Sequence, residues 1–202
     1  MKYAITLDIG GTNIKYALID QRGCIMYESL RDTNGDGSKC SLLVRLKSII
    51  QEVIDYAKNH NLEISGIGIG VPSVVDDGIV LFANNLLELN DQNLCVLLSE
   101  FNIPVFVEND ANMMGLGEVA YGSSEGLSDV VFLTIGTGIG GALFLNGKLY
   151  GGYHNRGTEL GHIIIHGTNG NPCTCGASGC LEAHASTNAL IHFYRKLMEK
   201  RG

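Results

Sequence analysis

The sequence lacks any block of basic residues. Its 202 residues contain 14 Lys and Arg against 21 Asp and Glu, which gives a formal net charge of −7. Nucleic acids and anionic membrane surfaces attract clustered positive charge, so this balance argues against both as partners. Small anions could still bind through backbone amides.

Long apolar runs are also lacking. The apolar segment 130–146 has no charged residue, but it is interrupted by four glycines and is shorter than the ~18 apolar residues of a membrane span. The amino terminus, Met1-Lys2-Tyr3, leads directly into an alternating strand pattern without the apolar core of a signal peptide. This arrangement predicts a cytoplasmic protein with no membrane partner.

Cysteine is sparse except in one short segment. Three of the six cysteines are scattered, whereas the other three fall close together. Cytoplasmic thiols are kept reduced, so this distribution favours a metal site over a disulfide framework. With one histidine, the clustered cysteines supply the three thiolates and the imidazole that a tetrahedral structural zinc requires. The predicted zinc ligands are His162, Cys173, Cys175 and Cys180.

Two alternatives to this zinc site stay open. Three reduced thiols could lie without a metal in the glycine-rich loop, although segment 171–179 has almost no apolar side chain that would order it otherwise. His166 and His184 are rival ligands, whose ordinary positions would be a strand end and a helix surface.

The start of the chain alternates apolar and polar residues, which predicts three strands in an antiparallel meander. These strands span residues 3–7, 14–19 and 24–30. An amphipathic helix should then cover one face of the sheet, because apolar residues recur at helical spacing. Its apolar face consists of Leu42, Leu46, Ile49, Val53 and Ala57.

The rest of the chain mixes strands and helices. Further strands are predicted at 64–71, 78–82, 104–107, 130–135, 140–145 and 160–166. Helices are predicted at 91–101, 110–121 and 186–200. Asn146-Gly147 is a strong signal for a hairpin turn between two of these strands.

The sequence also contains an internal repeat. A shift of 125 residues aligns Gly11, Thr12, Ile14, Ala17 and Leu18 with Gly136, Thr137, Ile139, Ala142 and Leu143. Both copies combine a strand, a Gly/Thr turn and a second strand, and such turns expose backbone N–H groups that can wrap phosphate oxygens. We therefore predict two domains, at 1–121 and 122–202, whose turns grip a polyphosphate from both sides; a chance match in a glycine-rich chain is the alternative.

Each turn can be interpreted in more than one way. At the first, Asp8 ends a strand beside Gly10 and Gly11, where its carboxylate could hold Mg²⁺ through water next to a phosphate; a plain hairpin is the alternative. The second turn, 136–141, contains more glycine than a hairpin requires, and each glycine in a strand costs roughly 0.5–1 kcal/mol. A bound ligand accounts for that cost better than packing does.

Four polar residues are candidates for chemistry on a substrate. Asn109 and Asp110 stand where a buried strand gives way to a helix, and a carboxylate near the positive end of a helix should stay ionised and can accept a hydroxyl proton. Asp110 is thus the candidate base, with a helix N-cap as its alternative role. Glu159 and Glu182 lie next to the metal segment, which could present them to sugar hydroxyls; solvated surface positions are their alternative.

Five segments, in this order, resemble motifs of the ROK family (repressors, open reading frames and kinases). They are Asp8-Ile9-Gly10-Gly11-Thr12-Asn13, Glu108-Asn109-Asp110-Ala111-Asn112, Gly136-Thr137-Gly138-Ile139-Gly140-Gly141, Glu159-Leu160-Gly161-His162 and Cys173-Thr174-Cys175-Gly176-Ala177-Ser178-Gly179-Cys180-Leu181-Glu182. The resemblance runs from about residue 3 to residue 190, and the last two segments are the most specific.

The resemblance implies an actin-like, hexokinase-type ATPase fold. Two α/β domains, each with a copy of the β-meander and its helices, would flank a cleft that holds ATP with Mg²⁺ at one end and a sugar at the other. Kinases of the family transfer the γ-phosphoryl of ATP to a hydroxyl of a hexose or N-acetylhexosamine, such as glucose, N-acetylglucosamine or N-acetylmannosamine. Members are often dimers or tetramers, so a homodimer is an expectation.

The resemblance also assigns roles to individual residues. By motif, Asp110 looks like the catalytic base, and His162 would serve both the zinc ion and the sugar. The residues that look like sugar ligands are Asn84, Asn109, Asp110, Glu159, His162 and Glu182. The residues that look like the ATP and metal end are Asp8, Gly10, Gly11, Thr12, Asn13, Gly136, Thr137, Gly138 and Gly140.

The sequence departs from the family pattern in two ways. Ser73 stands where the family commonly has Gly, in a segment whose backbone approaches the sugar. Members also usually continue with a glycine-rich segment that holds adenosine and with a final helix, so the second domain is expected to be incomplete.

Two alternatives to a sugar kinase follow from the same resemblance. One is a sugar-binding regulator, which would carry a DNA-binding helix-turn-helix ahead of the first strand, where only two residues stand in this sequence. The other is a catalytically inactive fragment of a kinase.

Overall fold

The computed structural model of the protein describes residues 1–34, 41–83 and 86–199. These residues form two compact units, Met1–Met113 and Met114–Gly202. The division falls inside the helix Asp110–Tyr121, whereas the sequence predicted a boundary at the end of that helix.

The first unit is built around a five-stranded sheet with the order β3-β2-β1-β4-β8. Its strands, with those of a smaller sheet, are β1 (Lys2–Ile9), β2 (Asn13–Asp20), β3 (Ile25–Asp32), β4 (Glu63–Val71), β5 (Val74–Asp76), β6 (Ile79–Phe82), β7 (Gln92–Asn93) and β8 (Val105–Asn109). β1, β2 and β3 pair antiparallel, which confirms the predicted meander. β4 is parallel to β1, and β8 is parallel to β4.

Helix α1 (Leu42–Asn59) packs on this sheet, against β2 and β4. All five apolar residues predicted for its inner face are buried in the core of the unit. The hydroxyl oxygen of Ser41 accepts the Val44 N–H at 3.4 Å and caps the start of the helix.

Glu52 joins α1 to the neighbouring strands through a polar network. The hydroxyls of Tyr16 on β2 and Tyr27 on β3 donate to Glu52 Oε1 at 2.9 and 2.6 Å, and Arg31 donates to Oε2. Hydrogen bonding to this carboxylate, together with burial, raises the pKa of Tyr27 to about 12. Burial opposes ionisation of Glu52, but the hydrogen bonds from the two tyrosines and the charge of Arg31 hold its pKa below the ordinary value.

The predicted helix at 91–101 is wrong. The segment instead contains β7, a short helix α2 (Leu94–Leu97) and a 3₁₀ turn, Ser99–Phe101. Asp91 has a φ of +60°, a left-handed conformation that a helix cannot use as its start. The side chain of Asn93 accepts the Val96 N–H at 3.1 Å and sets the beginning of α2. β7 pairs with β6, and β6 with β5, in a separate antiparallel sheet.

The second unit contains a three-stranded antiparallel sheet with the order β11-β10-β9. Its strands are β9 (Val130–Ile135), β10 (Ile139–Leu145) and β11 (Lys148–Leu149). Asn146 and Gly147, with φ values of +53° and +73°, form the predicted hairpin turn. The helices that follow α2 in the chain are α3 (Asp110–Tyr121), α4 (Leu181–Ala185) and α5 (Thr187–Glu199).

The predicted strand at 160–166 is also wrong. Leu160–His162 forms a 3₁₀ turn, and only Ile164 makes an isolated bridge, to Cys180. Gly161 packs so closely on β10 that an added Cβ would lie 2.0 Å from the carbonyl oxygen of Ile139. This contact holds the segment in a turn, and Ile163 to Ile165 are exposed rather than buried in a sheet.

Among the described residues, no helix is both long and apolar enough to cross a bilayer. The cytoplasmic location stays a prediction.

Candidate functional site

The first glycine turn, residues 10–13, connects β1 to β2. The Gly10 N–H donates to the carbonyl of Asn13 at 2.9 Å, which closes the turn. Residues 11–13 are exposed. A turn with so little side chain would let an anion approach its backbone N–H groups. Phosphate binding at this turn stays a prediction.

Thr33, which follows β3, braces the first glycine turn. It is buried, with 4% exposure; its hydroxyl donates to the Gly10 carbonyl at 2.7 Å, and its N–H donates to the Thr12 carbonyl at 2.8 Å. Arg45 of α1 donates in turn to the Thr33 carbonyl. Sequence reasoning missed Thr33 and Arg45, because a single threonine after a strand carries no signal of a contact with a distant turn.

Asp8, the predicted magnesium residue, is exposed near the end of β1. In the sheet it stands opposite Lys15 of β2 and beside Gly70 of β4. The structure therefore brings Asp8 and the first glycine turn to the same end of one hairpin.

Asn109 and Asp110 lie at the junction of β8 and α3, as predicted. The capping hydrogen bond of α3 comes from Asn109, whose Oδ1 accepts the Asn112 N–H at 3.1 Å, and not from Asp110. Asp110 is the first residue of the helix, is half-buried, and accepts the Ala111 N–H at 2.8 Å through Oδ1. The positive end of the helix dipole favours a negative charge at this position.

Two further contacts fix this junction. Glu108 Oε1 accepts both the Asn109 N–H at 2.8 Å and the side-chain amide of Asn112 at 3.1 Å. The side-chain amide of Asn109 donates to the Ser73 carbonyl at 3.2 Å. Asn109 therefore has protein partners for both its oxygen and its nitrogen, and it holds the backbone of the segment before β5 next to α3.

Ser73, at a position where the resemblance implies glycine, is buried with 4% exposure. Its Oγ accepts the Phe82 N–H at 3.1 Å and donates to the Val74 carbonyl at 3.0 Å. The hydroxyl thus joins the start of β5 to the end of β6, a contact that glycine could not make.

The second glycine turn, residues 136–141, comprises the connection 136–138 between β9 and β10 and the start of β10. The Gly136 N–H donates to the Gly138 carbonyl at 2.9 Å, and the Gly140 N–H donates to Thr134 Oγ1 at 3.1 Å. The Gly136 carbonyl accepts the N–H of Thr187 at 2.9 Å, where α5 begins. Both glycine turns therefore join two antiparallel strands, in agreement with the predicted repeat.

Glu182, on α4, has a partner for each carboxylate oxygen. Oε2 accepts the Ile139 N–H in the second glycine turn at 2.9 Å, and Oε1 accepts the Thr174 hydroxyl at 3.1 Å. A Cβ added to Gly138 would lie 2.3 Å from Oε2, so glycine at 138 leaves room for the carboxylate. Sequence reasoning did not foresee these contacts, and a sugar contact of Glu182 stays a prediction.

The four predicted zinc ligands form one group, in which all ligand atoms lie within 4.8 Å of one another. Cys173 Sγ is 3.5 Å from His162 Nδ1, and Cys175 Sγ is 3.7 Å from Cys180 Sγ. In a tetrahedron with Zn–S of about 2.3 Å and Zn–N of about 2.0–2.1 Å, the corresponding edges are about 3.6 and 3.8 Å. The donor set and these two distances therefore fit a zinc ion.

The thiols of this Cys/His cluster differ in their surroundings. Burial, followed by the neighbouring thiols, raises the pKa of Cys180 to about 12, whereas a hydrogen bond from the Ala177 backbone, followed by Cys173, lowers the pKa of Cys175. Sulfurs this close repel one another as thiolates, and a bound cation removes that repulsion.

The rival histidines lie apart from the cluster. Among the described residues, the ligand group includes His162 and neither His166 nor His184. The rings of the latter two pack against each other at a tilt of 35°, with centroids 4.4 Å apart, and His184 Nε2 accepts the N–H of Asn171 at 3.2 Å.

Two predicted sugar ligands remain. Glu159 is exposed and directly precedes the turn that carries His162. Asn84 lies outside the described residues.

A sequence profile of the ROK family matches residues 4–201. The chain belongs to the ROK family. Within this family it is 38% identical over 199 residues to the glucokinase of Thermotoga maritima, and the alignment covers 97% of this chain and 61% of that protein. It is 33% identical to the xylose repressor of Caldicellulosiruptor bescii, over 97% of this chain and 49% of that protein.

A ROK family glucokinase from Streptomyces griseus, solved in complex with glucose and AMPPNP, has a similar structure. Its TM-score to this chain is 0.73 at 30% identity, and the match covers 98% of this chain and 62% of that one. The predicted fold class, the mixed α/β fold of ROK sugar kinases, is thereby confirmed. The chain spans about three fifths of the length of these glucokinases, so it contains part of that fold.

Proposed function

We propose that the chain phosphorylates a hexose or N-acetylhexosamine at the expense of ATP, with Asp110 as the catalytic base. The observation that carries the proposal is the β8–α3 junction, where Asn109 supplies the helix cap and Asp110 is placed at the positive end of α3. The sequence similarity of the chain to glucokinases supports the same reaction.

In the proposed reaction, Asp110 accepts the proton of the attacking sugar hydroxyl while that oxygen bonds to the γ-phosphorus. The bond between the γ-phosphorus and the bridging oxygen breaks, and ADP leaves. Phosphoryl transfer passes through a loose transition state, so alignment of the hydroxyl and neutralisation of phosphate charge supply most of the catalysis.

The two glycine turns are proposed to bind the ATP phosphates through their backbone N–H groups. Asp8 would hold Mg²⁺ through water beside the first turn, and the ion would neutralise charge on the phosphates. Asn109, Glu159 and His162 are the proposed sugar contacts, with His162 also a zinc ligand. Zinc would be structural, held by the Cys/His cluster.

Replacing Asp110 by Asn tests the assignment of the base. The carboxamide of Asn has the size of the carboxylate but cannot take up the proton of the sugar hydroxyl. We therefore expect turnover to fall by about 10²–10⁴-fold. Sugar binding, measured by calorimetry, should stay within a few-fold of wild type. Asp55→Asn, at an exposed position on α1, is the matched control. Turnover of Asp110→Asn within a few-fold of the parent would refute the assignment.

The substrate is identified by a coupled assay of hexoses and N-acetylhexosamines with ATP on the 202-residue chain. Phosphorylation of any of them supports the kinase. Sugar binding without phosphorylation or ATP hydrolysis would instead favour a sugar-binding regulator, which the similarity to a xylose repressor supports, or an inactive fragment of a kinase.

Zinc is tested separately by elemental analysis of protein prepared without chelators. We expect about one equivalent of zinc per chain in the wild type. The zinc content should be lower in Cys173→Ser, which lacks one of the ligands. Less than about half an equivalent in the wild type would refute the site.

A further inference from the structure

The carboxylate of Glu182 bridges two segments that the sequence treats as separate motifs. One oxygen accepts the N–H of Ile139, at the end of the second glycine turn, at 2.9 Å. The other accepts the hydroxyl of Thr174 at 3.1 Å, and Thr174 lies between Cys173 and Cys175 of the Cys/His cluster.

Glu182 and its partner Thr174 both lie next to ligands of the cluster. Glu182 is two residues beyond Cys180, which is fully buried, so the start of α4 is fixed by one ligand. Thr174 is fixed by the ligands on either side of it. The loop that carries Thr174 is mostly exposed and has few apolar contacts that would order it otherwise.

The bridge requires a side chain that accepts a hydrogen bond through each of two atoms, because both of its partners are donors. Ile139 presents a backbone N–H and Thr174 a hydroxyl, whereas an ionised carboxylate only accepts hydrogen bonds. Bonds from neutral donors to a charged acceptor are stronger than those between neutral groups. The close approach of Gly138 to Oε2 leaves no room for a side chain at that position without displacing the carboxylate.

We propose that Glu182 is a positioning residue that couples metal occupancy of the Cys/His cluster to the conformation of the second glycine turn. With the metal bound, Thr174 and α4 hold the carboxylate, and the carboxylate holds the Ile139 N–H. Without the metal, the carboxylate loses its support and the turn loosens. A phosphate-binding role for this turn rests on the proposed function. The coupling between the Cys/His cluster and the turn does not.

Amide hydrogen exchange at Ile139, measured by NMR on zinc-loaded and chelator-treated full chain, tests the coupling. In the wild type, removal of zinc should speed exchange at Ile139 about tenfold, the effect of losing one hydrogen bond of ordinary strength. In Glu182→Ala, exchange should already be fast with zinc bound and should change little on its removal. Glu182→Gln, which keeps one acceptor oxygen, should restore part of the protection. Glu125→Ala, an exposed position in the same unit, is the control and should behave as wild type.

A second variant tests the same coupling if Glu182→Ala folds poorly. Thr174→Val removes the hydroxyl and leaves Glu182 in place, so exchange at Ile139 should lose much of its zinc dependence while zinc stays near one equivalent; Thr174→Ser should restore it. Exchange at Ile139 that ignores zinc in the wild type would overturn the proposal. Equal zinc dependence in wild type and Glu182→Ala would also overturn it. Because such coupling is reciprocal, Glu182→Ala should bind zinc about tenfold more weakly, so the proteins are compared at saturating zinc. None of these measurements uses sugar or ATP, so failure of the kinase assignment would leave their outcome unchanged.

Discussion

The hydroxyl of Thr33 donates one of the hydrogen bonds that stabilise the first glycine turn. Thr33→Val keeps the shape of the side chain but leaves the Gly10 carbonyl without its partner at 2.7 Å. We expect the free energy of unfolding of the first unit to fall by ~1 kcal/mol, because the partly buried Gly10 carbonyl loses its hydrogen bond. Urea denaturation measures this loss, and amide exchange at Gly10 should speed up.

Thr33→Ser provides the matched control, since it retains the hydroxyl and loses only a methyl group. If valine proves as stable as serine and exchange at Gly10 is the same in both, the brace through this hydroxyl is refuted.

The network around Glu52 predicts a specific pH dependence. The pKa of Glu52 is lowered from its ordinary value of 4.5, so its stabilising effect is present above that pH and is lost as the pH falls through the lower value of the folded protein. Glu52→Gln should therefore cost ~1–3 kcal/mol of unfolding free energy at neutral pH, and the difference from wild type should shrink in acid.

Urea denaturation between pH 7 and pH 3 measures this difference. Glu28→Gln, at an exposed position on β3, should leave the curve unchanged. A Glu52→Gln deficit that stays constant across the pH range would show that packing, and not the charge, accounts for the contribution of Glu52.

At the residue scale, the sequence located the site where the motifs are local. The Cys/His cluster was predictable because three of its ligands fall within eight residues, and the Asn109-Asp110 junction because a strand pattern changes to a helix pattern there. Thr33, Arg45 and the bridge of Glu182 were not predictable, since each contact joins residues that are far apart in the chain and carry no characteristic spacing.

At the scale of the element, Gly179 is critical for the loop from Cys173 to Cys180, which carries three of the predicted zinc ligands. It has a φ of +86°, and an added Cβ would lie 2.0 Å from the carbonyl oxygen of His166. Gly179→Ala must therefore move backbone next to Cys180, and we expect the zinc content of the purified protein to fall below half an equivalent.

Gly176→Ala is the matched control. It introduces the strain of a left-handed backbone without a collision with a neighbouring carbonyl. Gly176 has a similar φ of +90°, but nothing lies within 4 Å of its added Cβ. Elemental analysis should find near-normal zinc in Gly176→Ala. Equal zinc content in the two variants would show that the close approach at Gly179 does not matter.

Elements were predictable where one periodicity ran uninterrupted. α1 and the two hairpins follow from apolar spacing and turn residues alone. Segment 91–101 was mistaken for one helix because the left-handed backbone of Asp91 and the cap at Asn93 override its apolar pattern. Segment 160–166 was mistaken for a strand because its run of isoleucines is apolar but finds no partner strand, and the packing of Gly161 on β10 decides its conformation.

At the scale of the whole molecule, the two units differ in how they are stabilised. The first buries a large aliphatic core between its sheet and α1. Among the described residues of the second, the buried apolar side chains are Ile139, Ala142, Phe144 and Cys180. β9 exposes Val131, Leu133 and Ile135 on one face, and α5 has no buried residue. With so little apolar burial, the second unit should depend on the zinc ion proposed for its Cys/His cluster.

Chelation of zinc should therefore destabilise the second unit selectively. A metal at a hundred times its dissociation constant contributes about 2.7 kcal/mol to the state that binds it, and a structural site contributes more as its affinity rises. We expect amide protection in β9 and β10 to fall sharply on chelation and to return when zinc is added back. Protection in β1, β2 and β4 serves as the internal control and should hardly change, because the core of that unit contains no part of the Cys/His cluster. A parallel loss of protection in both units would mean that they unfold as one cooperative structure, and the metal would then stabilise the whole chain and not the second unit alone.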